Sequence, residues 1–185
     1  MTCIVGVVSE GDVFIGGDSA GSSGWSIVHR ADQKVWAKDG YVFGFTTSFR
    51  MGQLLRHALD LPRPPWHVSR EELERFMVTT FIDAVRGCLK EGGFAQRKDE
   101  VERGGEFLVG VEGRLFKVSS DYQVGESLDG YAAAGCGEEV ALGALYAQDS
   151  MGVRPAERIE KALAAAAHHS NGVAAPFVVA VGESS

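Results

Sequence analysis

Thr2-Cys3-Ile4-Val5-Gly6-Val7-Val8 opens the chain, and after Gly11-Asp12 follows Val13-Phe14-Ile15-Gly16-Gly17-Asp18. Both runs are rich in β-branched residues, which suit a pleated, half-buried surface. A glycine-containing turn between two such runs predicts a hairpin that begins at residue 2. Gly21-Ser22-Ser23-Gly24 then reads as a loop, followed by short strands at 25–28, 34–37 and 41–45, with Lys38-Asp39-Gly40 turning the chain before the last. The first quarter is therefore expected to be antiparallel sheet.

Downstream the period changes. A short helix is expected over 51–59, then Pro62-Arg63-Pro64-Pro65 as a rigid connector, then a long helix from Ser69. Ser69 with Glu72 three residues on forms a capping box. Leu73, Phe76, Met77, Thr80, Phe81, Ala84, Val85, Cys88 and Leu89 recur at the spacing of one helix face, and Gly92-Gly93 ends the run. The charged stretch 96–103 reads as a solvated loop. Strands follow at 106–111, 115–118 and 131–134, helices at 138–148 and from Pro155 to about His168, and a last strand at 177–181. Blocks of strands segregated from pairs of helices argue for an α+β class, not alternating βαβ units.

Composition narrows the function. The 185 residues are 45% hydrophobic and 23% charged, the profile of one domain spanning 1–185. A formal charge of -7, with no basic run, argues against nucleic acid or an anionic membrane as partner. No stretch approaches the length of a membrane span, and the amino terminus lacks the pattern of a secretory signal. Three widely spaced cysteines, Cys3, Cys88 and Cys136, suit a reducing compartment, so a cytoplasmic location is expected.

Several motifs invite chemistry and find a plainer reading. Gly17-Asp18-Ser19-Ala20-Gly21 is similar to the surroundings of a trypsin-like serine, but no His precedes Ser19, and a turn after a strand explains it. Gly135-Cys136-Gly137 lacks the third glycine of a dinucleotide fingerprint, since Val140 stands there. His168 and His169 are adjacent, so a helix points them about 100° apart, and no further ligand stands at zinc spacing. No metal and no cofactor is expected. Cys88 lies on an apolar helix face and serves as a small hydrophobe.

The amino terminus is different. Methionine before a small residue is the substrate of methionine aminopeptidase, so the mature chain is expected to start at Thr2. A terminal threonine supplies a nucleophilic hydroxyl together with an α-amine whose pKa lies near ~7.7 to 8.0, a base usable at cellular pH. A nearby cation would tune that amine, and a buried lysine needs a carboxylate beside it. Asp18, at the end of the strand antiparallel to the one begun by Thr2, and Lys34, followed by Val35 and Trp36, are the partners at hand. Alternatively, Asp18 caps a turn and Lys34 is a solvated edge lysine.

Thr2 through Val7, Gly17-Asp18-Ser19 and Lys34 together resemble the proteasome β-subunit and HslV family of N-terminal nucleophile hydrolases. The Asp stands 16 and the Lys 32 residues after Thr2, as in that family. The Gly135-Cys136-Gly137 turn stands where the family has Gly-Ser-Gly. Bacterial proteasome homologues, Anbu and the betaproteobacterial type, are equally plausible relatives.

The resemblance implies a four-layer αββα sandwich and a threonine endopeptidase. Thr2 would be nucleophile and base, Asp18 and Lys34 the tuning pair, and Cys136 the occupant of the serine position near the α-amine, with Ser19 adding polarity. Where the family has a glycine-rich turn for the oxyanion amide, this chain has Thr46-Thr47-Ser48, so Thr47 or Ser48 would donate. The family's distal Asp-x-x-Ser-Gly aligns with His168-His169-Ser170-Asn171-Gly172, which places His168 at the Asp and Asn171 at the Ser. The resemblance further implies a homo-oligomeric ring, protein or peptide substrates and an ATP-dependent unfoldase. Two rivals remain: a small-substrate amidase on the same fold, and a non-catalytic assembly subunit. Trp66 and Phe94 are candidates for apolar surface.

Overall fold

Strand β1 (Cys3–Ser9) pairs antiparallel with β2 (Asp12–Gly17), with Ser9 opposite Asp12, so the hairpin turns at Glu10 and Gly11, one residue earlier than the sequence predicts. Both turn residues have positive φ, 53° and 89°, the geometry whose twist matches that of the flanking strands. A computed structural model supplies these coordinates and describes residues 1–23, 26–98, 101–149 and 152–182. The remaining strands are β3 (Ala20–Ser23), β4 (Ser26–His29), β5 (Val35–Lys38), β6 (Tyr41–Phe45), β7 (Gln96–Lys98), β8 (Val101–Arg103), β9 (Phe107–Val111), β10 (Arg114–Val118), β11 (Val124–Glu126), β12 (Tyr131–Gly135) and β13 (Val178–Gly182). The first sheet has the order β12-β1-β2-β13 and the second β11-β10-β9-β6-β5. All their pairings are antiparallel.

Alternation along β1 explains why its run is apolar throughout. Ile4 joins Ile15, Val35, Val42, Leu108 and Leu115 in a cluster drawn from both sheets. Cys3, Val5 and Val7 cluster instead with α4 (Glu138–Gln148) and α5 (Pro155–His169) through Ala141, Leu145, Ile159 and Leu163. Gly44 lies where the sheets approach: a Cβ there would stand 2.4 Å from Ile4 and 2.6 Å from Ile15. The second sheet contributes Phe43, Phe107 and Phe116 to a third cluster. Its helical members come from α1 (Phe49–His57), α2 (Arg70–Phe76) and α3 (Ile82–Glu91).

Helices α2 and α3 are joined by a π-helical turn, Met77–Phe81. Leu73, Met77, Phe81, Val85 and Leu89, all buried, repeat every four residues, and each step overshoots a 3.6-residue turn by about 40°. The wider turn returns the stripe to the core. Its register leaves Thr80 exposed and buries Ile82, against the sequence expectation. The capping box at Ser69 is present as predicted, with both Ser69 and Glu72 reciprocally bonded.

Three expectations are corrected. Gly21, Ser22 and Ser23, read as part of a loop, belong to strand β3 paired with β4, whereas Gly24 and Trp25 lie outside the described residues. The charged stretch from Gln96 forms a small hairpin, β7 with β8, and β11 went unread. Trp66 is exposed, but Phe94 packs against the aromatic core. Among the described residues, no helix is long and apolar enough to cross a membrane.

Candidate active site

Two strand starts and the end of a third place the polar cluster. Thr2 immediately precedes β1, Asp18 immediately follows β2, and Lys34 immediately precedes β5 of the facing sheet. All three are buried in surroundings otherwise apolar: Thr2 is 6%, Asp18 1% and Lys34 2% exposed. Lys34 Nζ donates to Thr2 Oγ1 at 2.7 Å, to Asp18 Oδ1 at 2.8 Å and to the Ala20 carbonyl at 2.6 Å, which uses all three ammonium donors. Asp18 Oδ1 also accepts from Cys3 N–H at 3.0 Å, and Oδ2 accepts from Ala20 N–H at 3.0 Å and Ala174 N–H at 3.4 Å. Each charge is thus paired and hydrogen-bonded, the condition on which buried ions are tolerated.

The electrostatics follow. Burial pushes the Lys34 ammonium below the ordinary lysine range, and Asp18 opposes that shift. The Thr2 hydroxyl, receiving one hydrogen bond from Lys34, donates its own to the Met1 carbonyl at 2.6 Å. Cys3, the neighbouring thiol, is no competitor as a nucleophile. Burial, reinforced by Asp18, pushes it up to about 12, so it stays protonated at neutral pH.

On the open side of Thr2 lies a cavity of about 330 Å³ lined by Gly21, Val28, Arg30, Phe45, Thr47 and Phe49, among others. Thr47 has φ 63°, unusual for a β-branched residue. Its N–H has no partner among the described residues, while its Oγ1 accepts from Glu106 N–H at 3.1 Å. A buried hydroxyl with a cation behind it and a free amide therefore border one cavity. A larger cleft of about 400 Å³, bordered by His67, Arg70 and Arg114, includes no residue of this cluster.

Compared by sequence, the chain matches no protein-family model and no curated protein. Compared by structure, it superposes on the bacterial proteasome homologue BPH of Thiobacillus denitrificans in complex with epoxomicin, with TM-score 0.81, 22% identity and all of both chains covered. Eukaryotic HslV from Trypanosoma brucei matches with TM-score 0.67 and 18% identity over 97% of this chain and 98% of that one. A Gly-1 mutant of Anbu from Hyphomicrobium sp. strain MC1 matches with TM-score 0.65 and 18% identity over 97% and 80%.

The fold is that of the proteasome-like N-terminal nucleophile hydrolases. Within this proteasome-like fold the other predicted site residues separate into two groups. Cys136 stands at the cluster: its exposed thiol donates to the Thr2 carbonyl at 3.4 Å and lies 3.4 Å from Ser170 Oγ. Gly135, with φ 98°, lets the turn approach, since a Cβ there would meet the Thr2 carbonyl oxygen at 2.2 Å. Ser48 does not supply a free amide. Its N–H donates to the Thr46 carbonyl at 2.6 Å, and its Oγ caps α1 by accepting from Arg50 N–H. Ser19 holds the strand ends together, donating from Oγ to the Pro176 carbonyl at 2.7 Å and from N–H to the Ala174 carbonyl.

His168 and Asn171 are exposed, and the ring contact of His168 is with His169. The residue brought to Cys136 is Ser170, which the sequence reading passed over. Helix α5 runs to His169, and Ser170 then turns extended, φ -129° and ψ 121°, so the register at the site is one residue earlier than an alignment anchored on Gly172 gives. A serine one position before Asn171 was the available signal. Among the described residues, no three His, Cys, Asp or Glu side chains gather as metal ligands.

An ion triad braces the site from behind. Lys117 bridges Glu106, at 3.1 Å, and Glu138. Glu106 bonds the Thr46–Thr47 turn through its backbone, and Glu138 starts α4 just after Cys136-Gly137. The triad thus ties the turn carrying the free amide to the turn against Thr2. Burial works to lower the Lys117 pKa, but the hydrogen bonds Lys117 donates to Glu138 and Glu106 outweigh it and raise the pKa.

Proposed function

We propose that this chain is a threonine endopeptidase subunit in which Thr2, freed of Met1, is both nucleophile and base. The observation that carries the reading is the 2.7 Å hydrogen bond from the Asp18-paired Lys34 ammonium to Thr2 Oγ1. That cation stabilises a developing alkoxide and disfavours protonation of a nearby α-amine.

The steps balance as an acyl transfer. Thr2 Oγ1 attacks the peptide carbonyl carbon while its proton passes to the α-amine, and the oxyanion lies against Thr47 N–H. The tetrahedral intermediate collapses as the ammonium returns that proton to the leaving nitrogen, breaking the C–N bond and leaving an ester on Thr2. Water, deprotonated by the same amine, attacks the ester, and the acid leaves with Oγ1 protonated again. The α-amine sits on the carbon next to that bearing Oγ1, within reach directly or through one water. Cys136 and Ser170 border that side.

The three core clusters support a four-layer αββα sandwich as the scaffold. The reading extends to a cytoplasmic, homo-oligomeric ring that encloses Thr2, acts on protein or peptide substrates and is fed by an ATP-driven unfoldase. Sedimentation of the purified protein tests the ring.

Intact mass before and after a peptide epoxyketone tests the chemistry, because the cyclic adduct needs both a threonine hydroxyl and a free α-amine. A chain lacking Met1 that gains one inhibitor mass is expected. A chain that retains Met1 and gains nothing overturns the reading.

A further inference from the structure

The cavity beside Thr2 has a wall of mixed character. Phe45 and Phe49 meet edge to face with centroids 5.5 Å apart, and the Arg30 guanidinium lies over the Phe49 ring at 3.9 Å. That guanidinium is already paired with a carboxylate. Its Nε and Nη2 each donate to Asp32, at 2.7 Å to Oδ1 and 2.7 Å to Oδ2, the bidentate fork that guanidinium and carboxylate favour. Lys34, the cation behind Thr2, has all three donors engaged. Among the described residues, no carboxylate borders the cavity.

The orientation of a substrate follows from the chemistry proposed above. The leaving nitrogen must take a proton from the α-amine, which lies on the Cys136 and Ser170 side of Thr2. The acyl carbonyl points to Thr47 N–H. The side chain of the acyl residue therefore extends toward Phe45, Phe49 and Arg30.

We infer that Asp32 is the specificity-determining residue of this cavity: by holding the Arg30 fork it keeps the pocket electrically neutral, so the chain cleaves after large apolar or aromatic residues. An apolar side chain gains burial against two phenyl rings and the face of a paired guanidinium. A basic one meets Arg30 with no carboxylate to bind. An acidic one meets a guanidinium whose charge Asp32 already offsets. This inference rests on the peptidase reading.

The test uses fluorogenic peptides that differ only in the residue before the scissile bond, with epoxyketone adduct formation measured in parallel. Wild-type protein is expected to favour Leu or Phe over Glu and over Arg by at least about tenfold in kcat/KM. Asp32→Ala, which frees the fork, is expected to raise the Glu-to-Leu ratio about tenfold or more, and Arg30→Gln added to it removes the gain. Asp32→Asn serves as the second variant should Asp32→Ala fail to fold. A wild-type preference for Glu or Arg, or a ratio unmoved in the Asp32 variants, overturns the inference while adduct formation leaves the peptidase reading standing. Absence of both adduct and turnover overturns the two together.

Discussion

Lys34 Nζ and Thr2 Oγ1 stand 2.7 Å apart across the seam between two sheets, because Thr2 leads into a strand of one and Lys34 into a strand of the other. The hydroxyl and its cation are thus held by the packing of the sheets and not by a single loop. Replacing Thr2 separates chemistry from fold. Thr2→Ala is expected to lose all peptide turnover and all adduct while its circular dichroism is unchanged, and Thr2→Ser to retain turnover. Turnover by Thr2→Ala would place the nucleophile elsewhere.

Lys34→Met should be destabilised by about 3–5 kcal/mol in urea, because Asp18 is then a buried charge without its counterion. Adding Asp18→Asn removes that charge and is expected to recover part of the loss without restoring activity. A double variant no more stable than Lys34→Met would show that the pair is not what the site depends on.

Thr47 separates strain from hydrogen bonding. Thr47→Ala and Thr47→Gly both lose the bond from Glu106 N–H, but only glycine accepts the positive φ freely. The glycine variant is expected to exceed the alanine variant in stability by ~1 kcal/mol. Both keep the backbone amide, and both are expected to form the epoxyketone adduct.

Cys3 gives a pH signature. The unfolded thiol ionises near 9.0 and the folded one only at about 12, so the unfolded state binds fewer protons in between. That contribution is fully present below pH 9 and is lost as pH rises toward 12, at up to about 1.4 kcal/mol per pH unit. Urea midpoints for wild type and Cys3→Ala at pH 8, 9 and 10 are expected to converge as pH rises. Parallel curves would refute this account.

Lys117 acts through position. Lys117→Met leaves Glu106 and Glu138 unbridged and is expected to lower kcat roughly tenfold with little change in KM, with Lys117→Arg restoring most of it. An equal loss in both variants would point to packing alone.

What the sequence made legible was what burial dictates. The apolar runs around Ile4 and Ile15 and the capping box at Ser69 are local signals, and Thr2, Asp18 and Lys34 were singled out from spacing and resemblance. The β7–β8 hairpin was not legible, since residues such as Gln96 and Glu102 give no apolar alternation. The π-helical turn hides behind an ordinary helical stripe. Ser170 was missed because its place depends on where α5 ends, a boundary that Gly172 misled by one residue. The choice of Thr47 over Ser48 depended on which amide the turn had already used, since Ser48 N–H bonds the Thr46 carbonyl, a fact of three-dimensional bonding.

While Met1 remains attached, the Thr2 hydroxyl rests its hydrogen on the Met1 carbonyl. A carbonyl oxygen accepts a hydrogen bond but is far too weak a base to keep the proton. Under the proposed chemistry the chain is therefore latent as long as Met1 covers the Thr2 amine. It can fold, and meet other chains, before it is armed, so trimming and not folding sets the moment at which it becomes dangerous to its neighbours.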